Sequence, residues 1–335
     1  MKLLVGDANL IFLKNISEYV EKITWSGDTK QVARKLQFTV VHNPYDAIMP
    51  QVLPRIGDRV LLQTDEGSTI FFGLVFDDDR TGSSRVVSYL AYDMMYYVNQ
   101  SDVNNVYEGL VEDVTRNILR DVGVLEGSIA QTGITVYMPC MGKKAYEGIM
   151  MAYTQAARQN GKKYIPVITD INHVSIVEKG TLCGVVIDGS YNTIEESYKQ
   201  TLQQMVNKIV ITDKDGNILD FVQDFDTQIN GTVQKVLKQE DNKDVYAEAH
   251  NLLNGIDQTA SVTATSDPCA VSGYSILIQD SVTGLYGQFY IESDTHTFSG
   301  AKEEMQLTLA FENLMDEKEL EKKKEETKAD DEKQR

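Results

Sequence analysis

A chain of 335 residues exceeds one ordinary domain, and its 42% hydrophobic and 24% charged content is that of a globular protein with two or three compact units. A formal net charge of −18 repels phosphate backbones, so sequence-specific nucleic-acid binding is not expected. The three cysteines form no CxxC pair, and no apolar run reaches the roughly 18 residues of a membrane span, which argues against zinc ribbons, disulfide frameworks and membrane segments.

The first hundred residues consist of short apolar runs separated by polar turns. Leu36, Phe38 and Val40 alternate with polar neighbours, which is typical of a strand with one face in water. Further strand-like runs cover residues 69–76 and 85–92. Residues 1–105 are therefore predicted to form an antiparallel β unit.

The hydrophobic period changes after residue 105. Apolar residues recur at helical spacing from Leu110 to Val122, and Gly123 follows as a C-cap. A second helix is predicted over residues 145–160, followed by a β-hairpin of residues 164–169 and 174–177. Residues 106–204 are predicted to be an α+β insertion.

Strand character returns at residues 208–212 and 218–222, on either side of the turn Asp213-Lys214-Asp215-Gly216-Asn217. Because this hairpin follows the α+β region directly, we hypothesise that residues 205–222 complete the first β unit. They would then lie in the same sheet as residues 1–105.

A second β unit is predicted over residues 223–315, with a helix at 244–254 before its strands. The closing strands are expected at residues 274–279, 286–293 and 305–311, where Leu307, Leu309 and Phe311 share one face. Residues 316–335 hold nine acids, seven bases and one Leu, so they cannot bury a core and are predicted to be a frayed helix or a disordered tail.

Three segments could carry chemistry, and each also has a structural interpretation. Asp77-Asp78-Asp79 could bind a metal or hydrolyse a glycoside, but consecutive carboxylates on one loop are more typical of a solvated turn. The 213–217 turn resembles a calcium loop superficially, but Ile218 stands where an EF-hand needs Gly. Asp294 and His296 could be two members of a triad, or simply a pair on one face of a strand.

The aromatic run from Tyr92 to Val98 is the densest in the chain. It is expected to pack in the core at the edge of the first β unit, and a subunit contact is the alternative. No catalytic, cofactor-binding or metal-binding residue is predicted anywhere in the sequence.

A family resemblance rests on four segments, AYDMMYYVNQS (91–101), YIPVITDINHVSIVEKG (164–180), INGTVQKVLKQED (229–241) and GLYGQFYIESDTHTFSGAKEEMQLTLAF (284–311). Together they resemble the XkdQ-like, late control D related family of phage tail proteins, the baseplate hubs of contractile tails and of phage-tail-like bacteriocins. The resemblance implies an α+β, mainly antiparallel β fold with two tube-forming β-barrel domains per chain, flanking the α+β insertion.

The same resemblance implies a homotrimeric ring, in which three chains present six barrels to a hexameric tail tube above and seat a spike protein below. The tail tube protein, the spike protein, baseplate wedge proteins and a tape-measure protein are the implied partners, in a particle assembled from chains made in the bacterial cytoplasm. An acidic lumen would keep passing DNA or tape-measure protein from sticking to the wall.

Two other functions compete with this structural role. One is a cell-wall or polysaccharide hydrolase carried by the tail, using Asp77 to Asp79 or Asp294 and His296. The other is a carbohydrate-binding β module on a particle surface. The hub interpretation is preferred because it requires no nucleophile.

Overall fold

The computed structural model describes residues 1–7, 13–46, 48, 52–81, 85–240 and 244–319. The helices in this part of the chain are α1 (Met95–Gln100), α2 (Val111–Asp121), α3 (Ala145–Asn160) and α4 (Val245–Leu252). The first strands are β1 (Lys2–Gly6), β2 (Leu13–Asn15), β3 (Val20–Asp28), β4 (Lys35–Val41), β5 (Arg59–Gln63), β6 (Thr69–Arg80) and β7 (Val86–Tyr92).

The remaining strands follow in the same order. The middle of the chain contains β8 (Asp102–Leu110), β9 (Glu126–Ile129), β10 (Thr135–Lys144), β11 (Tyr164–Thr169), β12 (His173–Glu178), β13 (Leu182–Asp188) and β14 (Thr193–Thr201). The last third contains β15 (Lys208–Thr212), β16 (Ile218–Gln223), β17 (Gln234–Lys238), β18 (Asp257–Thr265), β19 (Ser275–Gln279), β20 (Tyr286–Ser299) and β21 (Lys302–Ala310). The predicted α+β class with mainly antiparallel sheets is confirmed.

Two β units share one continuous sheet. The first unit has the strand order β3-β4-β7-β6-β5-β1-β2. In the second unit, β20, β21, β18 and β14 are neighbours in that order. On its other edge β20 pairs with β19, and β19 in turn pairs with β13. Strands β3 and β20 pair antiparallel, from Asp28 opposite Ser293 to Ile23 opposite Phe298, so β20 belongs to the second unit and borders the first.

Each unit has its own apolar core, because successive residues of a strand point to opposite faces. In β4, Leu36, Phe38 and Val40 are buried on the inner face, as their alternation predicts. In the second unit, the buried side of β21 carries Met305, Leu307 and Leu309.

Neither unit closes into a barrel among the described strands, which corrects the expectation of two barrels. The edge of β3 that could close the first unit is hydrogen-bonded to β20 instead. In the second unit, β13 and β14 are the two free ends of the strand order. A tight turn joins them, in which Asn192 Oδ1 accepts from the backbone N of Asp188 at 2.8 Å, but no ladder forms between them.

The α+β insertion contains the two predicted helices and the predicted hairpin. Helix α2 and helix α3 pack over the β8–β10 ladder and the β11-β12-β9 sheet, around buried residues such as Ile118, Met138 and Ile149. Helix α3 ends at Gly161, whose φ of 74° is the left-handed conformation of a C-cap.

Strands β15, β16 and β17 form a separate three-stranded sheet, so the hypothesis that residues 205–222 complete the first unit is wrong. Strand β15 lies in the centre, with β16 on one edge and β17 on the other, and therefore has no edge left for residues 1–105. Helix α4 covers one face and forms a small core of its own, which includes Ile209, Ile211 and Ala249. We call residues 205–254 the small lobe; it is inserted between β14 and β18, which pair with each other.

The charged segment after β21 begins with ordered residues, contrary to the predicted tail. Met315 is buried in the core of the insertion. The hydroxyl of Tyr146 donates to Asp316 at 2.8 Å, and the backbone N of Lys318 donates to Thr154 Oγ1 at 3.1 Å. Residues 313–319 therefore form a strap from the second unit onto α3, while residues 320–335 lie outside the described part.

Candidate functional site

The densest group of polar side chains lies where the two β units meet. Asp294 and His296 project from the same face of β20, as their spacing predicts, and Trp25 of β3 is the register partner of His296. Arg34 comes from the loop before β4. We call these four residues the seam cluster.

Arg34 and Asp294 form a two-pronged ion pair across the seam. Arg34 Nη1 donates to Asp294 Oδ1 at 3.0 Å, and Nη2 donates to Oδ2. The backbone N of Ser272 also donates to Oδ1, at 2.7 Å. Burial by itself would raise the pKa of Asp294, but the Arg34 guanidinium and the nearby His296 outweigh it and hold that pKa well below its usual range.

Aromatic rings cover this ion pair. The Arg34 guanidinium carbon lies 4.0 Å from the Trp25 ring centroid, a cation–π distance, and the Trp25 and His296 rings are 5.0 Å apart. Arg34 is 14% exposed at its side chain and Asp294 is 0% exposed, so the pair lies largely out of water.

His296 completes a chain of contacts whose order resembles that of a hydrolase triad. Its Nδ1 lies 2.8 Å from Ser266 Oγ, and its Nε2 lies 3.4 Å from Asp294 Oδ2. However, Nε2 is closer to the Ala270 carbonyl oxygen, at 3.1 Å, and Arg34 occupies both oxygens of Asp294. His296 and Asp294 are 0% and 1% exposed, so these contacts form a buried hydrogen-bond network that joins the two β units.

Asp93 is a second buried carboxylate beside the cluster. Its two oxygens accept from the backbone N of Arg34 at 3.1 Å and from that of Met95 at 3.0 Å, so it fixes the entry to α1. Burial raises the pKa of Asp93 to about 7, against these hydrogen bonds and the Arg34 charge, which lower it. Sequence patterns gave no signal that Arg34, Asp93 and Ser266 meet at this seam, since the contacts of Arg34 with Asp93 and Asp294, and of Ser266 with His296, join residues 30 or more positions apart.

Asp77, Asp78 and Asp79 lie in strand β6, and the prediction of a solvated turn is wrong. The strand continues past its apolar half because Asp77 to Asp79 pair with Leu90 to Ser88 of β7. Asp78 binds Arg80, with Arg80 Nε at 2.9 Å. The three carboxylates alternate across the strand rather than converging on one point.

The 213–217 segment is a hairpin turn, as predicted. Asp213 accepts hydrogen bonds from the backbone N of Asp215 and Asn217 and from the Asn217 side chain, so its carboxylate stabilises the turn. Within the described residues, no group of three or more His, Cys, Asp or Glu side chains is arranged to hold a metal ion. The same part of the chain contains no helix that is both long and apolar enough to cross a membrane.

The Tyr92 to Val98 run packs inside the chain. Met95 and Val98 are fully buried in the insertion core. The Tyr96 ring is 4.5 Å from that of Phe76 and 4.9 Å from that of Tyr92, in an aromatic cluster between β6 and α1. Core packing at the edge of the first unit is therefore observed, and Tyr96 remains half-buried.

The sequence profile of the YQBQ-like family matches residues 23–310. The chain belongs to the YQBQ-like family. This match runs from β3 to the end of β21 and so covers the insertion, the small lobe and most of both β units. It confirms at family level the resemblance found in the four sequence segments.

Relatives of this YQBQ-like chain include the phage-like element PBSX protein XkdQ of Bacillus subtilis. The two are 24% identical in an alignment of 324 positions that covers 89% of this chain and 94% of XkdQ. Solved structures that share the fold include two tail proteins. The 43 kDa tail protein of prophage MuSo2 from Shewanella oneidensis matches with a TM-score of 0.64 and 12% identity, over 92% of this chain and 98% of that one. A tail protein from Neisseria meningitidis matches with a TM-score of 0.60 and 12% identity, over 92% and 95% of the two chains.

Proposed function

We propose that this chain is a structural component of a phage tail or tail-like particle, and that it serves as the baseplate hub that joins the tail tube to the central spike. The observation that carries the proposal is the fold match to a prophage tail protein over 92% of this chain and 98% of the other. Almost all of the chain is accounted for by the shared fold. The named relative XkdQ, from a phage-like element, supports the same role.

The two fused β units suit a threefold-to-sixfold adaptor. Each chain contributes two β units of one continuous sheet, held side by side by the β3–β20 pairing. A trimer would thus present six β units to a hexameric tube on one side. On the other side, its three identical chains would match a threefold spike. Ring closure would also cover strand edges that otherwise invite aggregation.

The acidic composition suits a central channel. Asp77 and Asp79 are exposed on β6, in a chain with a net charge of −18. Carboxylates on a channel wall repel DNA and acidic protein. If these two face the lumen, replacing both with Lys should slow delivery through the particle, measured as infection or killing efficiency; unimpaired delivery would place them elsewhere.

Imaging of the assembled particle tests the hub proposal directly. The expected result is a threefold ring of this chain between the tail tube and the spike, with baseplate wedge proteins around it. A different position in the particle, or a symmetry that is not a multiple of three, would refute the proposal. Mass measurement of the purified chain is a weaker test, since a hub subunit can stay monomeric before it meets its partners.

The hydrolase alternative has its own test, because Ser266, His296 and Asp294 follow one another in space. Zymography on bacterial cell walls should show no clearing by the wild-type chain. Clearing that disappears in Ser266→Ala, while folding is retained, would overturn the structural interpretation of the network.

A further inference from the structure

A cavity of about 250 Å³ lies where the first β unit, the insertion and the second β unit meet. Residues 69–72 of β6 form one part of its lining, and residues 165–171 of β11 and the following turn form another. Val271, Ser272 and Tyr274, among others, complete it. Clefts between structural units are common places for binding sites.

Consecutive residues of both strands line this cavity. A strand that turns one face toward a cavity presents alternate residues, because successive side chains point to opposite sides. In β11, by contrast, residues 165–169 all line the cavity. Consecutive lining residues are expected where the edge of a strand, rather than one of its faces, borders the cavity. The cavity therefore borders the backbone along the edges of β6 and β11 as well as the side chains of these strands.

The edge of β11 that faces away from β12 has backbone groups free for pairing. In β12, the Ile176 carbonyl accepts from Ala130 N at 3.0 Å, so the backbone groups of Ile176 face β9. Lys179 follows β12 directly, and its N donates to the Lys163 carbonyl at 2.8 Å, so its backbone groups face β11. In an antiparallel ladder, successive residues of a strand direct their N–H and C=O groups to opposite edges of that strand. It follows that the backbone groups of residues 164, 166 and 168 point away from β12.

Among the described residues, this outer edge of β11 is covered only at its first residue, Tyr164. Met315 of the strap accepts from the backbone N of Tyr164 at 3.4 Å. Further along, Pro166 has no N–H to donate, which is the position that Pro takes at a free edge. No strand among the described residues pairs with this side of β11, so the Ile168 N–H and the carbonyls of Pro166 and Ile168 are available.

We propose that this cavity binds an extended peptide segment of another protein, which adds as a strand to the free edge of β11. The mode is β-strand addition, in which main-chain hydrogen bonds hold the peptide and side-chain pockets select it. This proposal goes beyond the hub function and can be tested on the isolated chain, so either can fail without the other.

The lining defines the chemistry of that segment. Ile70, Phe72, Val271 and Tyr274 make the walls largely apolar, which favours a peptide with apolar side chains on the buried face. The charged groups are Asp28, Asp93, Asp170 and Arg34, and the guanidinium of Arg34 is already paired with Asp294. Asp93 is buried and already accepts from two backbone N–H groups, so the remaining acidic charge comes from Asp28 and Asp170. Basic residues are therefore expected to flank the apolar stretch.

The turn at the end of β11 is held in a strained conformation. Asp170 and Ile171 have φ values of 45° and 76°, and both border the cavity. The left-handed conformation costs a β-branched residue about 1–3 kcal/mol, and such strain concentrates at binding sites and clamps. Ile171 is 51% exposed, so its side chain stands at the rim, where a peptide could cover it.

Fluorescence anisotropy with a designed probe tests the proposal. The probe is a fluorescein-labelled nonapeptide in which valine and threonine alternate between terminal lysines, titrated with the full chain. Saturable binding is expected, and a peptide with glutamates in place of the lysines should bind more weakly because of Asp28 and Asp170. A Kd of about 1 mM corresponds to a binding free energy of only about −4 kcal/mol. Absence of saturable binding up to this protein concentration would overturn the proposal.

Ile168→Pro is the decisive variant, because it removes one outward N–H without touching the ladder to β12. Affinity for the lysine peptide should fall about tenfold, as loss of a hydrogen bond predicts. Ile168→Val, which keeps the N–H, should bind like the wild type. Equal binding by both variants would contradict pairing at β11.

Hydrogen exchange on the wild-type chain gives a second measurement that needs no variant to fold. Adding the lysine peptide should slow exchange in residues 165–171. Protection confined to other parts of the chain would also contradict the proposal.

Discussion

Arg34 joins three parts of the chain through a single side chain. Its guanidinium binds Asp294 of the second β unit and lies over Trp25 of the first, while its backbone N donates to Asp93 at the start of the insertion. A charge held this far from water is stable only while its partner remains ionised.

Replacing Asp294 with Asn should therefore destabilise the protein strongly. The substitution leaves the Arg34 charge in the seam without a counter-ion, which costs about 3–5 kcal/mol in comparable buried pairs. The measurement is the free energy of unfolding by urea. Asp79→Asn, on the exposed face of β6, is the matched control and should change it by no more than about 0.5 kcal/mol. Equal effects of the two variants would show that the ion pair is not structural.

Asp93 should make stability depend on pH. Its pKa is about 7 in the folded chain, against about 3.9 in an unfolded one, so between these values the folded state holds a proton that the unfolded state has lost. The contribution of Asp93 is fully present below about pH 4 and is lost as pH rises to about 7. Asp294 acts in the opposite sense, and only below about pH 4, because its pKa is lowered.

The test is the free energy of unfolding of the wild type and of Asp93→Asn, measured from pH 4 to pH 8. The wild type should lose stability relative to the variant as pH rises, at up to about 1.4 kcal/mol per pH unit. A constant difference across this range would mean that Asp93 stays ionised in the folded protein.

At the scale of elements, the small lobe is an independent packing unit. It has its own core between α4 and the β16-β15-β17 sheet, and it is connected to the rest through β14 and β18. Asp244 caps α4, since its Oδ1 accepts from the backbone N of Tyr246 and of Ala247, each at 3.1 Å. Loss of this cap should open the lobe before the rest of the molecule.

Asp244→Ala should lower the opening free energy of α4 by about 1 kcal/mol, measured by hydrogen exchange of its amides. Asp244→Ser keeps a capping oxygen and should behave nearly as the wild type. Faster exchange throughout both β units in Asp244→Ala would contradict the independence of the lobe.

At the scale of the whole molecule, the strap couples the second β unit to the insertion. Met315 fills the insertion core, and Asn313 Nδ2 donates to the Lys179 carbonyl at 2.7 Å. Exposed ion pairs of Arg158 with Glu317 and Glu319 add little by themselves. The apolar anchor therefore dominates the strap.

Met315→Ala should destabilise the chain by about 2–4 kcal/mol, since it leaves a cavity in a packed core. Its neighbour gives a matched control: Leu314 is 65% exposed, so Leu314→Ala should change stability by no more than about 0.5 kcal/mol. Thermal and urea unfolding measure both. Similar losses in the two variants would mean that the strap is held mainly by its backbone.

Local patterns in the sequence determined the elements whose burial follows a simple period. The alternation in β4, the helical spacing of α2 and α3, the hairpin of β11 and β12, and the turn at 213–217 all formed as predicted, because each depends on neighbours within one element. Strand ends were less predictable: β6 continues through three aspartates because β7 provides backbone partners for them.

Only the tertiary structure decided which strands pair and what the polar residues do. The spacing of Asp294 and His296 placed them on one face, but their role depends on Arg34, which lies 260 residues away in the chain. The same holds for β3, whose free edge joins β20 instead of closing a barrel, and for the small lobe, whose strands satisfy one another. Sequence periodicity records which side of an element is apolar, whereas edge pairing and charge pairing depend on groups that only the folded chain brings together.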